Sequence, residues 1–337
     1  MPALYARWID RWETRLANRD QNRVIRPFEW GLDWLGLPSQ DSPVEALARY
    51  ATDSIRGSDA FFRHSAISSY TLTGSTLSFP SPLQTRHPEN DLVSAEYFPA
   101  KNHAGRAVLV IPQWNSDEAS HLGLCRILQR FGVSALRLSP AYHHRRMPRE
   151  LQRADYHVSA NLGRTIHATR QSVLDARGCL DWLVDQGYTR VGMLGTSLGS
   201  CITLLTACHD PRVSTGVFNH VSMYFSDVVW TGMSCRHIRQ TLEEELTADD
   251  LRRIWSIISP ASYLDRPELS HMKSLLIWAP YDTTFRPEFS QRVVDAFSRR
   301  SLPYEVFRLP CGHYTTAKFP YNWIDGWVMI RFLLRHL

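Results

Sequence analysis

Ser197 lies in a pattern of residue types that suits a nucleophile. It is the centre of a Gly-Thr-Ser-Leu-Gly pentapeptide at 195–199, which follows the apolar run Val191–Leu194 and precedes a helix-like stretch. A serine on a tight turn between a strand and a helix is lifted above the sheet edge, and glycines flank it because a Cβ there would collide with neighbouring backbone. The spacing therefore predicts a nucleophile elbow at Ser197.

A nucleophile elbow requires an acid and then a histidine further along the chain, each just after a strand. The buried-strand pattern Ser274–Ala279 leads to Asp282, and the last strand pattern, Tyr304–Leu309, leads to His313. Open α/β sheets place their sites at the carboxyl ends of strands. We therefore expect Ser197, Asp282 and His313 to meet at one edge of a sheet.

These motifs resemble the α/β-hydrolase superfamily, and the resemblance covers about residues 90 to 337. The motifs that carry it are Gly195-Thr196-Ser197-Leu198-Gly199, Ala279-Pro280-Tyr281-Asp282 and Leu309-Pro310-Cys311-Gly312-His313. The amino-terminal part, the Val173 to Gly187 helix and the segment Phe225 to Gly232 look like an abhydrolase-domain branch. The resemblance implies a serine hydrolase that transfers an acyl group to water and uses no metal and no organic cofactor.

The same resemblance implies a role for each of the three residues. A neutral serine hydroxyl is a poor nucleophile until a base removes its proton, so His313 takes the proton of Ser197 and later returns it to the leaving group. Asp282 fixes the tautomer of the histidine and stabilises the imidazolium. Plainer interpretations are an inactive turn serine, a helix-capping Asp282 with Asp227 as the reserve acid, and a hydrogen-bonded loop histidine.

The tetrahedral oxyanion needs two fixed hydrogen-bond donors. The first is expected to be the backbone N–H of Leu198, the residue after the nucleophile. The second should come from the loop after the strand Ala107–Ile111, and we expect the Trp114 N–H there, with Gln113 as the next choice. This loop departs from the familiar His-Gly-Gly form.

The elements that must position these residues alternate between strands and helices along the chain. This alternation predicts an α/β fold with a mostly parallel sheet and helices on both faces. Residues 1–90 are expected to form a helical extension and the start of the sheet, with a hairpin of Thr71–Phe79 and Leu92–Phe98, and residues 91–337 the catalytic domain. The core strands are predicted at Ala107–Ile111, Val133–Leu138, Thr189–Leu194, Val213–Asn219, Ser274–Ala279 and Tyr304–Leu309.

Two connections are too long for simple crossovers and are predicted to be lid segments, at about 139–166 and 220–272. In the first, Tyr142, His143, Arg145 and Arg146 could bind an anionic group of the substrate, although a solvated arginine-rich loop is an equal alternative. Adjacent side chains of an extended segment point apart, so the pair His143-His144 does not predict a metal site. The second segment holds an aromatic run that can line an acyl pocket or form plain lid core, and its tentative substrate-binding residues are Tyr224 and Trp230.

Composition limits the protein classes that remain. The chain has 337 residues, a net charge of +5 from scattered cations, and six cysteines without CxxC spacing. Scattered cations do not predict a nucleic-acid face. No apolar run approaches a membrane span, and the start of the chain lacks the pattern of a secretory signal, so we expect a cytoplasmic protein with free thiols.

The first twenty residues contain an amphipathic pattern. Leu4, Trp8, Trp12 and Leu16 recur every four residues, beside a stripe of arginines at 7, 11, 15 and 19. Such a helix can lie in a membrane interface, pack on its own domain or pack on a twin subunit. Peripheral membrane contact through residues 1–20 is therefore one expectation, and the oligomeric state stays open.

The combined prediction is a serine esterase acting on a small-molecule ester, and on a lipid ester if the first helix touches lipid. A peptidase or amidase with the same three residues is the alternative within the enzymes. A non-catalytic binding protein that keeps the hydrolase scaffold is the alternative outside them. A haloalkane-type reaction is disfavoured because position 197 is serine, where that chemistry needs aspartate.

Overall fold

A single sheet runs through the centre of the protein. The structure is a computed structural model that describes residues 3–19, 22–39, 41–67 and 69–337, and within them nine strands pair in the order β1-β2-β3-β5-β4-β6-β7-β8-β9. The strands are β1 (Thr71–Thr73), β2 (Thr76–Pro80), β3 (Leu92–Phe98), β4 (Arg106–Ile111), β5 (Ser134–Leu138), β6 (Arg190–Thr196), β7 (Val213–Asn219), β8 (Lys273–Trp278) and β9 (Tyr304–Arg308). The pairs from β5 to β9 are parallel, and β1 to β3 join antiparallel. The predicted, mostly parallel α/β sheet is confirmed.

The central strands are mostly apolar because helices cover both of their faces. In β4, Ala107, Leu109 and Ile111 face one core, and Val108 and Val110 face another. A parallel strand buried on both faces has no polar side to expose. The two cores lie on opposite faces of the sheet, so both must be packed for the strand ends to be held.

One predicted strand is divided in the structure. The single strand expected at Thr71–Phe79 is two short strands, β1 and β2, because the chain turns at Gly74, where φ is +61°. A glycine adopts this left-handed conformation without the steric cost of a Cβ. The hairpin partner β3 pairs with β2 as expected.

Twelve α-helices surround the sheet in the described part of the chain. They are α1 (Ala3–Ala17), α2 (Pro43–Arg56), α3 (Ser58–Phe61), α4 (Pro88–Asp91), α5 (Leu122–Arg130), α6 (Leu162–Asp185), α7 (Leu198–Ala207), α8 (Phe225–Thr231), α9 (Arg236–Leu242), α10 (Ala248–Ile254), α11 (Pro287–Arg299) and α12 (Tyr321–His336), with short 3-10 turns between them. Helices α6 and α7 pack in one core, and α1, α5 and α12 pack in the other. The predicted helical start of the chain is confirmed by α1, α2 and α3.

Helix α1 is amphipathic, but its buried side faces this protein itself. Ile9, Leu16 and Ala17 are buried, whereas Leu4 and Trp8 are exposed. Met1, Pro2 and Asp20 of the predicted segment lie outside the described residues. None of the described helices is long and apolar enough to cross a bilayer. The six cysteines are buried and free of disulfides, in agreement with the prediction.

Candidate active site

The turn at Ser197 joins β6 to α7 in a strained conformation. Ser197 has φ of 56° and ψ of −116°, and the helix begins at the next residue. A positive φ is uncommon for a residue with a side chain and often marks a functional site. A Cβ on Gly195 would lie 2.1 Å from the carbonyl oxygen of Gly199, and one on Gly199 would lie 2.1 Å from that of Ile111. Both flanking glycines are therefore required by close backbone approaches.

The three predicted residues meet at the carboxyl edge of the sheet. Ser197 Oγ lies 3.4 Å from His313 Nε2, and His313 Nδ1 lies 3.0 Å from Asp282 Oδ2. The serine–histidine distance is long for a hydrogen bond, which is common in unliganded sites that tighten around substrate. The arrangement places the imidazole base next to the serine hydroxyl, and the carboxylate next to the other nitrogen of the imidazole.

Asp282 is held as an anion by four donors. The backbone N–H groups of Thr284 and Phe285 donate to its Oδ1 at 2.7 and 2.6 Å, and two histidine rings approach its Oδ2. Burial raises the pKa of this carboxyl, but the charge of His313 and the bonds from both histidines outweigh that effect and hold the pKa below its usual range. Asp282 therefore stays ionised over the working pH range.

The second of these histidines, His220, was missed in the sequence. Its Nδ1 lies 2.7 Å from Asp282 Oδ2 and its Nε2 lies 3.1 Å from Thr316 Oγ1, and the residue is buried with φ of 56°. The available signal was its position, because it directly follows β7, and the ends of neighbouring parallel strands lie at one edge. His220 therefore helps to fix the orientation of the acid through the same carboxylate oxygen that His313 contacts.

Among the described residues, one cluster comes nearest to the geometry of a metal site. It consists of His220, Asp282 and His313, whose three ligand atoms lie within 4.8 Å of one another. Two ligands of one tetrahedral zinc ion, each about 2.0–2.2 Å from it, stand farther apart than hydrogen-bonded atoms. Here both nitrogens lie within 3.0 Å of the same carboxylate oxygen. The spacing fits shared protons better than a bridging ion.

The pKa of His313 is set by opposing effects. Burial lowers it, but the charge and hydrogen bond of Asp282, with a smaller effect from Glu13, outweigh burial and raise the pKa above the ordinary 6.5. The neutral ring is the form that can accept a proton from Ser197. The site is therefore organised to stabilise the imidazolium that forms when the hydroxyl is deprotonated.

The predicted oxyanion donors lie at the turn and at the end of β4. The N–H groups of Leu198 and Trp114 have no acceptor within the described part of the chain. The Trp114 ring lines the cavity beside Ser197, and its Nε1 donates to the carbonyl of Ala154 at 2.9 Å. Gln113 precedes it, and its side-chain amide donates to Ser120 Oγ at 3.4 Å. The roles of Leu198, Trp114 and Gln113 stay predictions.

Three residues proposed as substrate contacts are fully buried and do not line the cavity. Arg146 forms an ion pair with Asp175 at 2.8 Å, so it is not available to an anionic substrate. His143 accepts a hydrogen bond from the Asn115 N–H at 3.2 Å, and its burial holds its pKa well below the ordinary value. Tyr142 packs against neighbouring rings. For these three residues the expectation of substrate contact was wrong.

The other candidates divide between cavity and surface. Tyr224 lines the cavity, whereas Trp230 lies under the guanidinium of Arg239, 5.7 Å from it. Arg145 is exposed and does not line the cavity. Asp227, the reserve acid, accepts a hydrogen bond from Arg252 at 2.6 Å. Asp282 therefore occupies the place of the acid beside His313.

The space next to Ser197 is small and mostly apolar. It measures about 50 Å³ and is bounded by the elbow, the Trp114 loop and the start of α8. The apolar side chains around it are Val158, Leu198, Phe225, Val228, Val229 and Phe285. Larger hollows occur elsewhere on the described surface, such as one between α2 and α10, but they lie away from Ser197.

No family model and no curated protein sequence matches this chain. Solved structures do match. The acetyl xylan esterase from Paenibacillus sp. R4 has a TM-score of 0.59 at 15% identity, with 100% of each chain covered. Acetyl xylan esterase 1 from Thermoanaerobacterium sp. JW/SL YS485 has a TM-score of 0.56 at 14% identity, covering 88% of this chain and 94% of that one.

The acylaminoacyl peptidase of Pyrococcus horikoshii has a TM-score of 0.59 at 11% identity, and the match covers 80% of this chain and 42% of the peptidase. The chain thus spans about two fifths of the length of that protein. Likeness at such identities establishes the fold and nothing finer. The chain has the α/β-hydrolase fold, as the sequence motifs predicted.

Proposed function

We propose that this protein is a serine hydrolase that cleaves a carboxylic ester, with Ser197 as its nucleophile. The observation that carries the proposal is the contact series from Ser197 Oγ through His313 to Asp282. Residues from three separate strand ends meet there in the order that acyl transfer requires. The α/β-hydrolase fold is compatible with this chemistry but does not by itself select it.

The reaction begins when Ser197 Oγ attacks the carbonyl carbon and its proton passes to His313 Nε2. The carbonyl oxygen becomes an oxyanion, and the N–H groups of Leu198 and Trp114 are the donors we assign to it. The C–O bond to the alcohol then breaks, and His313 returns the proton to the leaving oxygen. Water repeats the sequence on the acyl-enzyme, which releases the acid and restores Ser197.

The size of the cavity favours a short acyl group. The cavity beside Ser197 has a volume of about 50 Å³, and Phe225, Val228 and Phe285 are among the side chains that bound it. An acyl group of a few carbons fits beside these side chains better than a long fatty acyl chain. The apolar lining contributes binding energy to the acyl chain and leaves its polar carbonyl for the oxyanion donors.

A series of p-nitrophenyl esters from two to twelve acyl carbons, with matched p-nitroanilides, tests this proposal. We expect kcat/KM to be highest at two to four carbons, the esters to be cleaved faster than the anilides, and Ser197→Ala to lose activity by about 10⁴-fold or more. Ser234→Ala is a matched control because Ser234 also lines the cavity without contacting His313. Undiminished hydrolysis by folded Ser197→Ala would contradict the proposal, and faster anilide cleavage would favour an amidase.

A further inference from the structure

Helix α1 carries a buried carboxylate into the loop that holds the active-site histidine. Glu13 is fully buried, although it belongs to the first described element of the chain and His313 to the loop after the last strand. Its Oε1 accepts hydrogen bonds from the Tyr314 N–H at 2.8 Å and from Thr283 Oγ1 at 3.3 Å. Its Oε2 accepts from the Thr315 N–H at 3.0 Å and from Thr315 Oγ1 at 3.1 Å.

These bonds hold the chain both before and after His313. The Gly312 N–H donates to Thr315 Oγ1 at 2.7 Å, so the residue before His313 is tied to Glu13 through one hydroxyl. A Cβ at position 312 would lie 2.5 Å from Glu13 Cδ, and glycine therefore leaves the room that the carboxylate needs. Thr283, which also donates to Glu13, directly follows Asp282 in the chain. Glu13 thus holds the loops of both the base and the acid.

We propose that Glu13 is a positioning residue of the active site, which fixes His313 in reach of Ser197 and favours its protonated form during the reaction. The inference rests on the proposed function. Ordinary anchoring of α1 does not need a buried carboxylate, since Ile9 and Leu16 already pack it against the protein. A carboxylate bonded to the N–H groups of Tyr314 and Thr315, the two residues after His313, adds what apolar packing lacks. Its charge acts on His313 and stabilises the imidazolium formed when Ser197 is deprotonated.

The groups that face His313 determine how its protonation should respond. Asp282 Oδ2 lies 3.0 Å from the imidazole Nδ1, the His220 ring lies 4.9 Å from the His313 ring, and Asp325 interacts electrostatically with His220. Glu13 is the remaining acid that acts on it. Removal of the Glu13 charge should lower the pKa of His313. Asp282, which raises that pKa most, remains in place.

The test compares Glu13→Gln with Asp10→Asn, which removes one negative charge from the exposed side of the same helix. For Glu13→Gln we expect kcat with a short-chain p-nitrophenyl ester to fall about tenfold or more, because small misplacements of a reacting group are costly. We also expect the acid limb of its kcat/KM profile to move to lower pH. Asp10→Asn should retain the wild-type rate and profile.

Thr315→Ala separates the two effects and serves if Glu13→Gln folds poorly. It removes two links of the loop but keeps the Glu13 charge, so kcat should fall while the acid limb stays in place. Wild-type rates in Thr315→Ala, or an unmoved acid limb in folded Glu13→Gln, would overturn the assignment of Glu13. A wild-type protein without any esterase activity would instead contradict the proposed function.

A different observation concerns the surface. Five large side chains of α1 and of the region at the start of α12 are strongly exposed, and we call them the aromatic face: Leu4 (73%), Trp8 (52%), Phe319 (74%), Trp323 (74%) and Trp327 (52%). The two helices touch, since the hydroxyls of Tyr5 and Tyr321 lie 2.7 Å apart. Exposed apolar side chains of this size in one region usually mark an interaction site.

The charges around the aromatic face are mostly positive. Arg7, Arg11 and Arg15 are exposed on α1, where Asp10 is the acid among the exposed described residues. On α12, Arg331 is exposed and follows Trp323 and Trp327 at four-residue spacing, while the acid of that helix, Asp325, is buried. Tryptophan favours the interface of a bilayer, and arginines beside it are attracted to anionic headgroups.

We infer that the aromatic face docks on the surface of an anionic phospholipid bilayer. The test is co-sedimentation of the full chain with phosphatidylcholine vesicles, with and without phosphatidylglycerol. We expect binding to the anionic vesicles that falls at least tenfold in Trp323→Ala/Trp327→Ala and is unchanged in Leu72→Ala, an exposed position on β1 at the far edge of the sheet. Absence of binding to anionic vesicles would overturn the inference, as would a dimer in sedimentation velocity that the double variant dissociates.

Discussion

At the residue scale, the proposed reactivity of Ser197 depends on a series of contacts, and each residue in the series is held in place by the next. The Ser197 hydroxyl lies against the ring of His313. That ring is oriented by Asp282, and Asp282 is held in turn by His220 and two backbone N–H groups. A carboxylate with this many donors cannot rotate or accept a proton easily. The base is therefore held in one tautomer and one orientation before substrate arrives.

The pH dependence of hydrolysis follows from His313. Its pKa is raised above 6.5, and only the neutral ring accepts the proton of Ser197. We expect kcat/KM to fall as the pH is lowered through the His313 pKa, with a midpoint above 6.5, because the imidazolium form accumulates there. The pKa of Asp282 is lowered, so it adds no second transition in that range. A pH series with a short-chain ester checks this, and a flat profile from pH 8 to 5 would contradict it.

At the element scale, the early part of the segment between β5 and α6 is a structural connection, whereas Val158 near its end lines the cavity. Arg146 of this segment donates to the carbonyl oxygens of Asn90 and Ser139 and forms an ion pair with Asp175 of α6. The sequence showed that arginines were concentrated there, but it could not show that a buried acid 29 positions later would pair with one of them. Burial of both partners is decided by tertiary packing, which a local pattern does not record.

Arg146→Met is therefore expected to act on stability and not on substrate binding. It leaves Asp175 buried without its cation, and breaking a buried pair from one side costs about 3–5 kcal/mol. Urea unfolding should show this loss of stability. At low temperature, the KM values for an anionic ester and for a neutral ester should both change little. The exposed Arg145→Met serves as the control. A selective rise in KM for the anionic ester would restore the substrate-contact interpretation.

The amino-terminal region is joined to the start of α6 by close backbone contact. The Gly163 N–H donates to the Trp30 carbonyl at 3.1 Å, and a Cβ on Gly163 would lie 1.8 Å from the Gly31 carbonyl oxygen. Gly163→Ala should therefore lower the free energy of unfolding by about 1–3 kcal/mol. Gly326→Ala, in another helix with open space around the new Cβ, should instead stabilise by about 0.5–1 kcal/mol. Equal thermal shifts in the two variants would contradict this account of the contact.

At the scale of the whole molecule, the sheet explains why distant residues could be assigned to one site from the sequence. Ser197, Asp282 and His313 follow parallel strands β6, β8 and β9, and strand ends of a parallel sheet share an edge. The alternation of strand and helix patterns along the chain was sufficient to predict that the three residues share this edge. Glu13 and His220 were not foreseen. A helix far from the sheet in sequence gives no local signal of its destination, and His220 belongs to no motif and had only its position after β7 as a signal.

The catalytic assignment of Ser197 is tested most directly by covalent labelling. The purified full chain is treated with a fluorophosphonate probe, and the modified residue is located by mass spectrometry in the wild type, Ser197→Ala and Ser234→Ala. We expect a single adduct on Ser197, absent from Ser197→Ala and kept in Ser234→Ala, because Ser197 lines the cavity and its hydroxyl lies against the His313 ring that Asp282 orients. An adduct that persists in Ser197→Ala, or an unlabelled wild type that circular dichroism shows to be folded, would contradict the serine hydrolase account.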